Sequence, residues 1–75
     1  MQVPREEAIA ELARALSSVT TVELADEITR KALRATGLSD SPSITDADMD
    51  SLLQEIGAEG GLVQELAELL RVEGL

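Results

Sequence analysis

The sequence predicts an all-α fold, a small bundle of three to four short amphipathic helices. Apolar residues recur every three or four positions along most of the chain, as on one face of a helix. Residues typical of caps and turns separate these stretches, and no segment alternates between apolar and polar residues as a half-buried strand does. The chain has 75 residues, which predicts a single helical domain over residues 1–75.

The first predicted helix runs from about Pro4 to Ser17. Proline suits the first helical position, because the N–H that it lacks would have no partner within the helix there. An apolar stripe follows at the spacing of one helix face. Its members are Ile9, Leu12, Ala13 and Leu16.

The second predicted helix runs from about Thr21 to Thr36. Thr20 and Glu23 have the spacing of a capping box, and Gly37 fits a helix stop. Apolar residues cover about half of the circumference, which predicts a central position in the bundle. The other half is charged and predicts two ion pairs one turn apart, Asp26 with Arg30 and Glu27 with Lys31.

The third predicted helix begins after Thr45, which is expected to cap it. Ile44 and Met49 occupy the two positions of a hydrophobic staple around that cap. The glycine-rich stretch 57–61 predicts a break, because each glycine costs about 1 kcal/mol inside a helix. The fourth helix is then expected over residues 62–72, with Gly74 as its stop. One long helix is the alternative, since the helical spacing of small and apolar residues continues through the glycines.

The charge of the chain is unevenly distributed. The net charge is −9, yet residues 1–37 carry five basic and six acidic side chains, whereas residues 38–75 carry Arg71 alone against nine acidic side chains. This pattern keeps a leucine-rich protein soluble and is typical of a docking surface for a basic protein. It disfavours direct binding to nucleic acid or to an anionic membrane. With no long apolar run and no signal-like start, a cytoplasmic location is expected.

Histidine, cysteine and all aromatic residues are absent. Most catalysis at neutral pH uses imidazole, thiolate or a metal that they hold, so we expect no enzyme activity, no cofactor and no metal site. Asp46, Asp48 and Asp50 alternate as at the start of a calcium-binding EF-hand loop. The sixth and twelfth positions of such a loop require glycine and glutamate, and here they hold Ser51 and Gly57. These aspartates are therefore expected to stabilise a helix N-terminus.

The segment Asp50-Ser51-Leu52 resembles the Asp-Ser-Leu motif of acyl carrier proteins, and the length, acidity and helical pattern are similar too. The resemblance implies a phosphopantetheine arm on Ser51. In that family the serine begins the second helix, near the middle of the chain. Here Ser51 lies inside the third predicted helix, with 24 residues after it. A carrier protein modified on Ser51 is thus the first alternative function.

The function that the sequence favours is a non-catalytic interaction or assembly module. Its partner is a protein, with a basic protein and a second copy of the chain both open. A further alternative is an acidic regulator, of the antitoxin or nucleic-acid-mimic type, that occupies a basic partner. The predicted contact residues are Asp46, Asp48, Asp50, Glu55, Glu59, Leu62, Leu66, Leu69 and Leu70.

Overall fold

Four helices and two very short strands make up most of residues 3–73, the part of the chain that the computed structural model describes. The all-α prediction is confirmed. In chain order the elements are β1 (Val3–Pro4), α1 (Arg5–Leu16), α2 (Val22–Thr36), β2 (Ser43–Ile44), α3 (Asp46–Gly57) and α4 (Gly61–Glu73). Gly74, the predicted stop of the last helix, lies outside the described residues.

The start of α3 is the one that the sequence predicts. The Thr45 hydroxyl accepts a hydrogen bond from the Asp48 N–H, and the Asp48 carboxylate accepts one from the Thr45 N–H, both at 3.1 Å. Ile44 is buried and Met49 packs against the core, on either side of the cap. Two N–H groups that the helix cannot pair are thereby satisfied.

We therefore expect Thr45→Ala to lower the free energy of unfolding by about 1 kcal/mol, the usual effect of removing such a cap. Thr45→Ser keeps the hydroxyl and should remain within a few tenths of a kcal/mol of the native protein. Urea unfolding followed by circular dichroism measures both. Equal losses in the two variants would show that the hydroxyl does not cap α3.

The cap of α2 differs from the predicted one. Thr21, not Thr20, occupies the cap, and its hydroxyl accepts from the Leu24 N–H at 3.1 Å. The N–H of Thr20 instead donates to the Leu16 carbonyl at 3.1 Å. Thr20 thus belongs to the turn that ends α1, and α2 begins one residue later than a Thr20 cap requires.

Glycines with positive φ lie at two of the predicted breaks between helices. Gly37 has φ 75°, and the Leu38 N–H donates back to the Leu33 carbonyl at 2.9 Å, which closes the end of α2. Gly60 and Gly61 have φ 80° and 60°, conformations that side chains with a Cβ rarely adopt. The predicted break is confirmed, and α3 and α4 are separate helices.

The two strands were not expected from the sequence. β1 pairs antiparallel with β2, with Val3 opposite Ile44. The N–H of Arg5 then donates to the Pro42 carbonyl at 3.2 Å. These bonds attach the start of α1 to the segment before α3, and so they position two distant parts of the chain side by side.

The helices pack in chain order, with α2 between α1 and α3, and with α4 against α3. The predicted inner position of α2 is confirmed, but α3 is an inner helix too, because it packs against both α2 and α4. The fully buried apolar residues are Ala8, Leu12, Leu16, Ala25, Ala32, Leu33, Ile44, Leu52, Leu53, Ile56 and Ala67. Among the described residues of α4, Ala67 alone belongs to this set, so α4 lies at the periphery of the core.

The buried side of α2 is narrower than the apolar half that the sequence predicts. It consists of Ala25, Thr29, Ala32 and Leu33, and the Thr29 hydroxyl donates to the Ala25 carbonyl at 2.8 Å. Leu24, one residue and hence about 100° away, is 47% exposed, and Val22 is 70% exposed. Both belong to the apolar half of the circumference that the sequence predicts for this helix. The packed side is lined mainly by small residues because α2 is enclosed by helices on two sides.

None of the helices within residues 3–73 has the length and apolar character needed to cross a membrane.

Candidate functional site

The predicted contact residues do not form one surface. The Asp48 carboxylate is used in the cap of α3. Glu59 accepts a hydrogen bond from the Lys31 ammonium group at 3.1 Å, so it joins the turn before α4 to α2. Glu55 is exposed on α3. Because Lys31 pairs with Glu59, the predicted ion pair between Glu27 and Lys31 is wrong. The other predicted pair is present, with 2.9 Å between Arg30 Nε and Asp26 Oδ2.

Asp50 pairs with Arg71, the one basic residue of the second half. The Arg71 Nε donates to Asp50 Oδ1 at 2.9 Å, and Nη2 lies 3.4 Å from Oδ2. Both side chains are about half exposed, so the pair contributes at most about 1 kcal/mol to stability. The pair helps to position α4, because it connects α3 to the last turn of that helix.

A cleft of about 420 Å³ lies beside this ion pair. It takes residues from β1, α1, β2, α3 and α4, and we call it the apolar cleft. Its lining residues are Val3, Glu11, Ile44, Thr45, Asp46, Met49, Asp50, Leu53, Leu70 and Arg71. Three predicted contact residues, Asp46, Asp50 and Leu70, thus meet in one place, together with apolar residues that were not among the predicted contacts.

Two leucines on α4 are exposed on the same side of the helix. Leu62 is 62% exposed and Leu69 is 51% exposed, and they lie seven residues, or two turns, apart. Leu66 lies between them and is half-buried against the core. We call Leu62, Leu66 and Leu69 the α4 ridge. The fourth predicted leucine, Leu70, is half-buried and lines the apolar cleft instead.

Acidic residues flank the α4 ridge. Glu65 is three residues after Leu62 and four before Leu69, so it shares their side of the helix. Glu68 and Glu73 are also exposed on α4. The ridge is therefore apolar at its centre and negatively charged around it.

Ser51 is the sixth of the twelve residues of α3. It is exposed, between Asp50, which pairs with Arg71, and the buried Leu52. In acyl carrier proteins the corresponding serine begins a helix, whereas here it lies in the middle of one.

Sequence reasoning missed a second cleft, of about 470 Å³, that three arginines line. Arg30 and Arg34 come from one face of α2, and Arg5 comes from the start of α1, where it donates to the Ser39 carbonyl. The hydrogen bond from Arg30 to Asp26, and then the charge of Asp26, raise the pKa of Arg30 above its usual value. The spacing of four residues between Arg30 and Arg34 predicts that they share one face of α2. The sequence does not predict that Arg5 lies beside them, because this depends on the packing of α1 against α2.

Within residues 3–73 no three acidic side chains converge in a way that could hold a metal ion. No protein-family model matches the sequence, and no curated protein or solved structure is significantly similar to it. A function for this chain therefore rests on the surfaces described above.

Proposed function

We propose that the chain is a non-catalytic interaction module whose α4 ridge binds a basic amphipathic helix of a partner protein. The observation that carries the proposal is the exposure of Leu62 and Leu69 on one side of a helix that packs mainly against α3. Covering a leucine side chain contributes about 1.5–3 kcal/mol. Leucines at a two-turn spacing are the usual contact points of a helix-to-helix interface.

The charge around the ridge favours a basic partner. Glu65 lies beside the ridge on the same side of α4, and Glu68 and Glu73 lie on the same helix. Arg71, the basic residue of this half, is already paired with Asp50. A second copy of α4 would bring like charges together, whereas a helix rich in lysine or arginine would complement them. The proposal therefore selects a different, basic protein over self-association.

The test uses a synthetic peptide of about 18 residues, or five helical turns, with leucines on one face and lysines on the other. Fluorescence anisotropy measures its binding to the native chain and to the double variant Leu62→Gln/Leu69→Gln. We expect the double variant to bind at least tenfold more weakly, because tenfold corresponds to about 1.4 kcal/mol and two leucine contacts are lost. Both sites are exposed, so the fold should persist.

The matched control is Val22→Gln/Leu24→Gln, which removes two exposed apolar residues from the nearly neutral half of the chain. It should bind the peptide as the native chain does. A peptide with glutamate in place of lysine should not bind, and salt should weaken binding of the lysine peptide. Unchanged affinity in the ridge variant would refute the proposal. A native dimer that this variant converts to a monomer would assign the ridge to self-association instead.

A further inference from the structure

Glu65 lies between exposed apolar side chains on α4. It is three residues after Leu62 and four before Leu69, so both leucines are its neighbours on the helix surface. Val72, which is 85% exposed, lies seven residues after Glu65 and continues the same side of the helix two turns further on. A partner helix that covers the two leucines of the α4 ridge therefore covers Glu65 as well.

The Glu65 carboxylate makes neither an ion pair nor a hydrogen bond within residues 3–73. Glu68, by comparison, accepts a hydrogen bond from Gln64 Nε2 at 3.3 Å. Ala67, the buried residue of α4, is two residues from Glu65 and hence about 160° away around the helix axis. Glu65 therefore lies on the side of α4 that faces away from the core, and water stabilises its charge.

A helix bound on the α4 ridge would displace this water from Glu65. An ionised carboxylate that loses water without gaining an opposite charge is strongly unfavourable. An apolar side chain opposite Glu65 would therefore weaken the complex, whereas a lysine or an arginine would donate a charged hydrogen bond to it. A single polar position in an otherwise apolar helix interface is a well-attested way to fix the register of two helices.

We propose that Glu65 determines which helices bind the α4 ridge and in which register, by pairing with one lysine or arginine that lies between two apolar residues on the contact face of the partner. This inference rests on the proposed function, which places a basic helix on the ridge, and adds the position of one cation. The spacing in the partner follows that of the ridge, so its apolar residues lie three or four positions before and after the basic one.

The test is a double-mutant cycle between Glu65 and the peptide residue opposite it. The leucine and lysine peptide of the proposed function is made in two forms, with lysine or with glutamine replacing the leucine at the centre of its contact face. Fluorescence anisotropy measures the binding of both forms to the native chain and to Glu65→Gln. We expect the native chain to bind the lysine form about tenfold more tightly than the glutamine form, since close charge pairs at interfaces show coupling of at least this size. Glu65→Gln should bind the two forms within about twofold of each other.

Glu68→Gln is the matched control, because it removes the same charge from the same helix about 60° further round its axis. It should lower the affinity for both forms by the same factor and retain the tenfold ratio between them. The ratio would also be retained in Glu65→Gln if the preference came from long-range attraction, and that result would refute the inference.

A third peptide tests the register. In it the central lysine and a leucine at the end of the contact face exchange places, so its composition and charge equal those of the lysine form. We expect the native chain to bind it more weakly than the lysine form. Equal binding would show that Glu65 fixes no register and would overturn the inference.

The ridge variant Leu62→Gln/Leu69→Gln separates this inference from the proposed function. Equal binding of the lysine and glutamine forms by the native chain, with at least tenfold weaker binding by the ridge variant, would refute the inference alone. If the ridge variant binds the peptides as tightly as the native chain does, the proposed function is wrong, whatever the result with Glu65→Gln.

Discussion

Replacing Leu52 with alanine is expected to lower the free energy of unfolding by about 3–4 kcal/mol, which is typical when a buried leucine is truncated. Leu52 is fully buried in α3, the helix that packs against both α2 and α4. A core of this size supplies only about 3–5 kcal/mol, so the variant should retain at most about 2 kcal/mol and unfold at much lower urea concentrations, or be partly unfolded without urea. Urea unfolding followed by circular dichroism at 222 nm, with the signal without urea as its starting point, measures this.

Leu62→Ala is the matched control, because it makes the same chemical change at an exposed site of a neighbouring helix. Alanine and leucine have similar helix propensities, and nothing is left as a cavity, so the change should stay within about 0.5 kcal/mol. If the two variants lose equal stability, the assignment of Leu52 to the core is wrong.

Replacing both Gly60 and Gly61 with alanine is the second large change, with an expected loss of about 2–4 kcal/mol. Both glycines have positive φ, and a Cβ in that conformation costs about 1–2 kcal/mol per residue. Nothing lies within 4 Å of the added Cβ atoms, so the loss comes from the backbone and not from a collision. Urea unfolding of the double variant measures it.

Gly57→Ala provides the control of opposite sign. Gly57 ends α3 without a positive φ, and an added Cβ would make an ordinary contact of 3.9 Å with the Ala67 Cβ. Alanine should therefore stabilise the protein by about 0.5–1 kcal/mol, since it lowers the entropy of the unfolded chain. A neutral or stabilising Gly60→Ala/Gly61→Ala variant would contradict the turn geometry between α3 and α4.

Helix ends could be predicted from the sequence where the signal lies within a few residues. Thr45 and Asp48 are three residues apart and exchange two hydrogen bonds that cap α3. Gly37 ends α2 because it adopts a positive φ. The choice between Thr20 and Thr21 could not be made in this way. Both threonines can cap a helix, and only the hydrogen bond that Thr20 makes to the end of α1 decides between them.

The candidate sites depended on contacts between distant residues, which spacing does not show. Lys31 has Glu27 one turn away but pairs with Glu59, because packing of α2 against α3 brings the next turn of chain near it. Asp50 and Arg71 are 21 residues apart and still meet. The leucines of α4 were identified as contact residues, but their division between ridge and cleft required the packing of α4 on α3.

The peripheral position of α4 has a consequence for how a complex would form. Because Ala67 is the one fully buried residue among those described in this helix, we expect α4 to open from α3 at a lower free energy than that of global unfolding. Backbone amides of α4 should then exchange with solvent deuterium through local opening, well before those of α3. A bound partner would slow that exchange, so part of its binding energy would serve to order the very helix that it recognises.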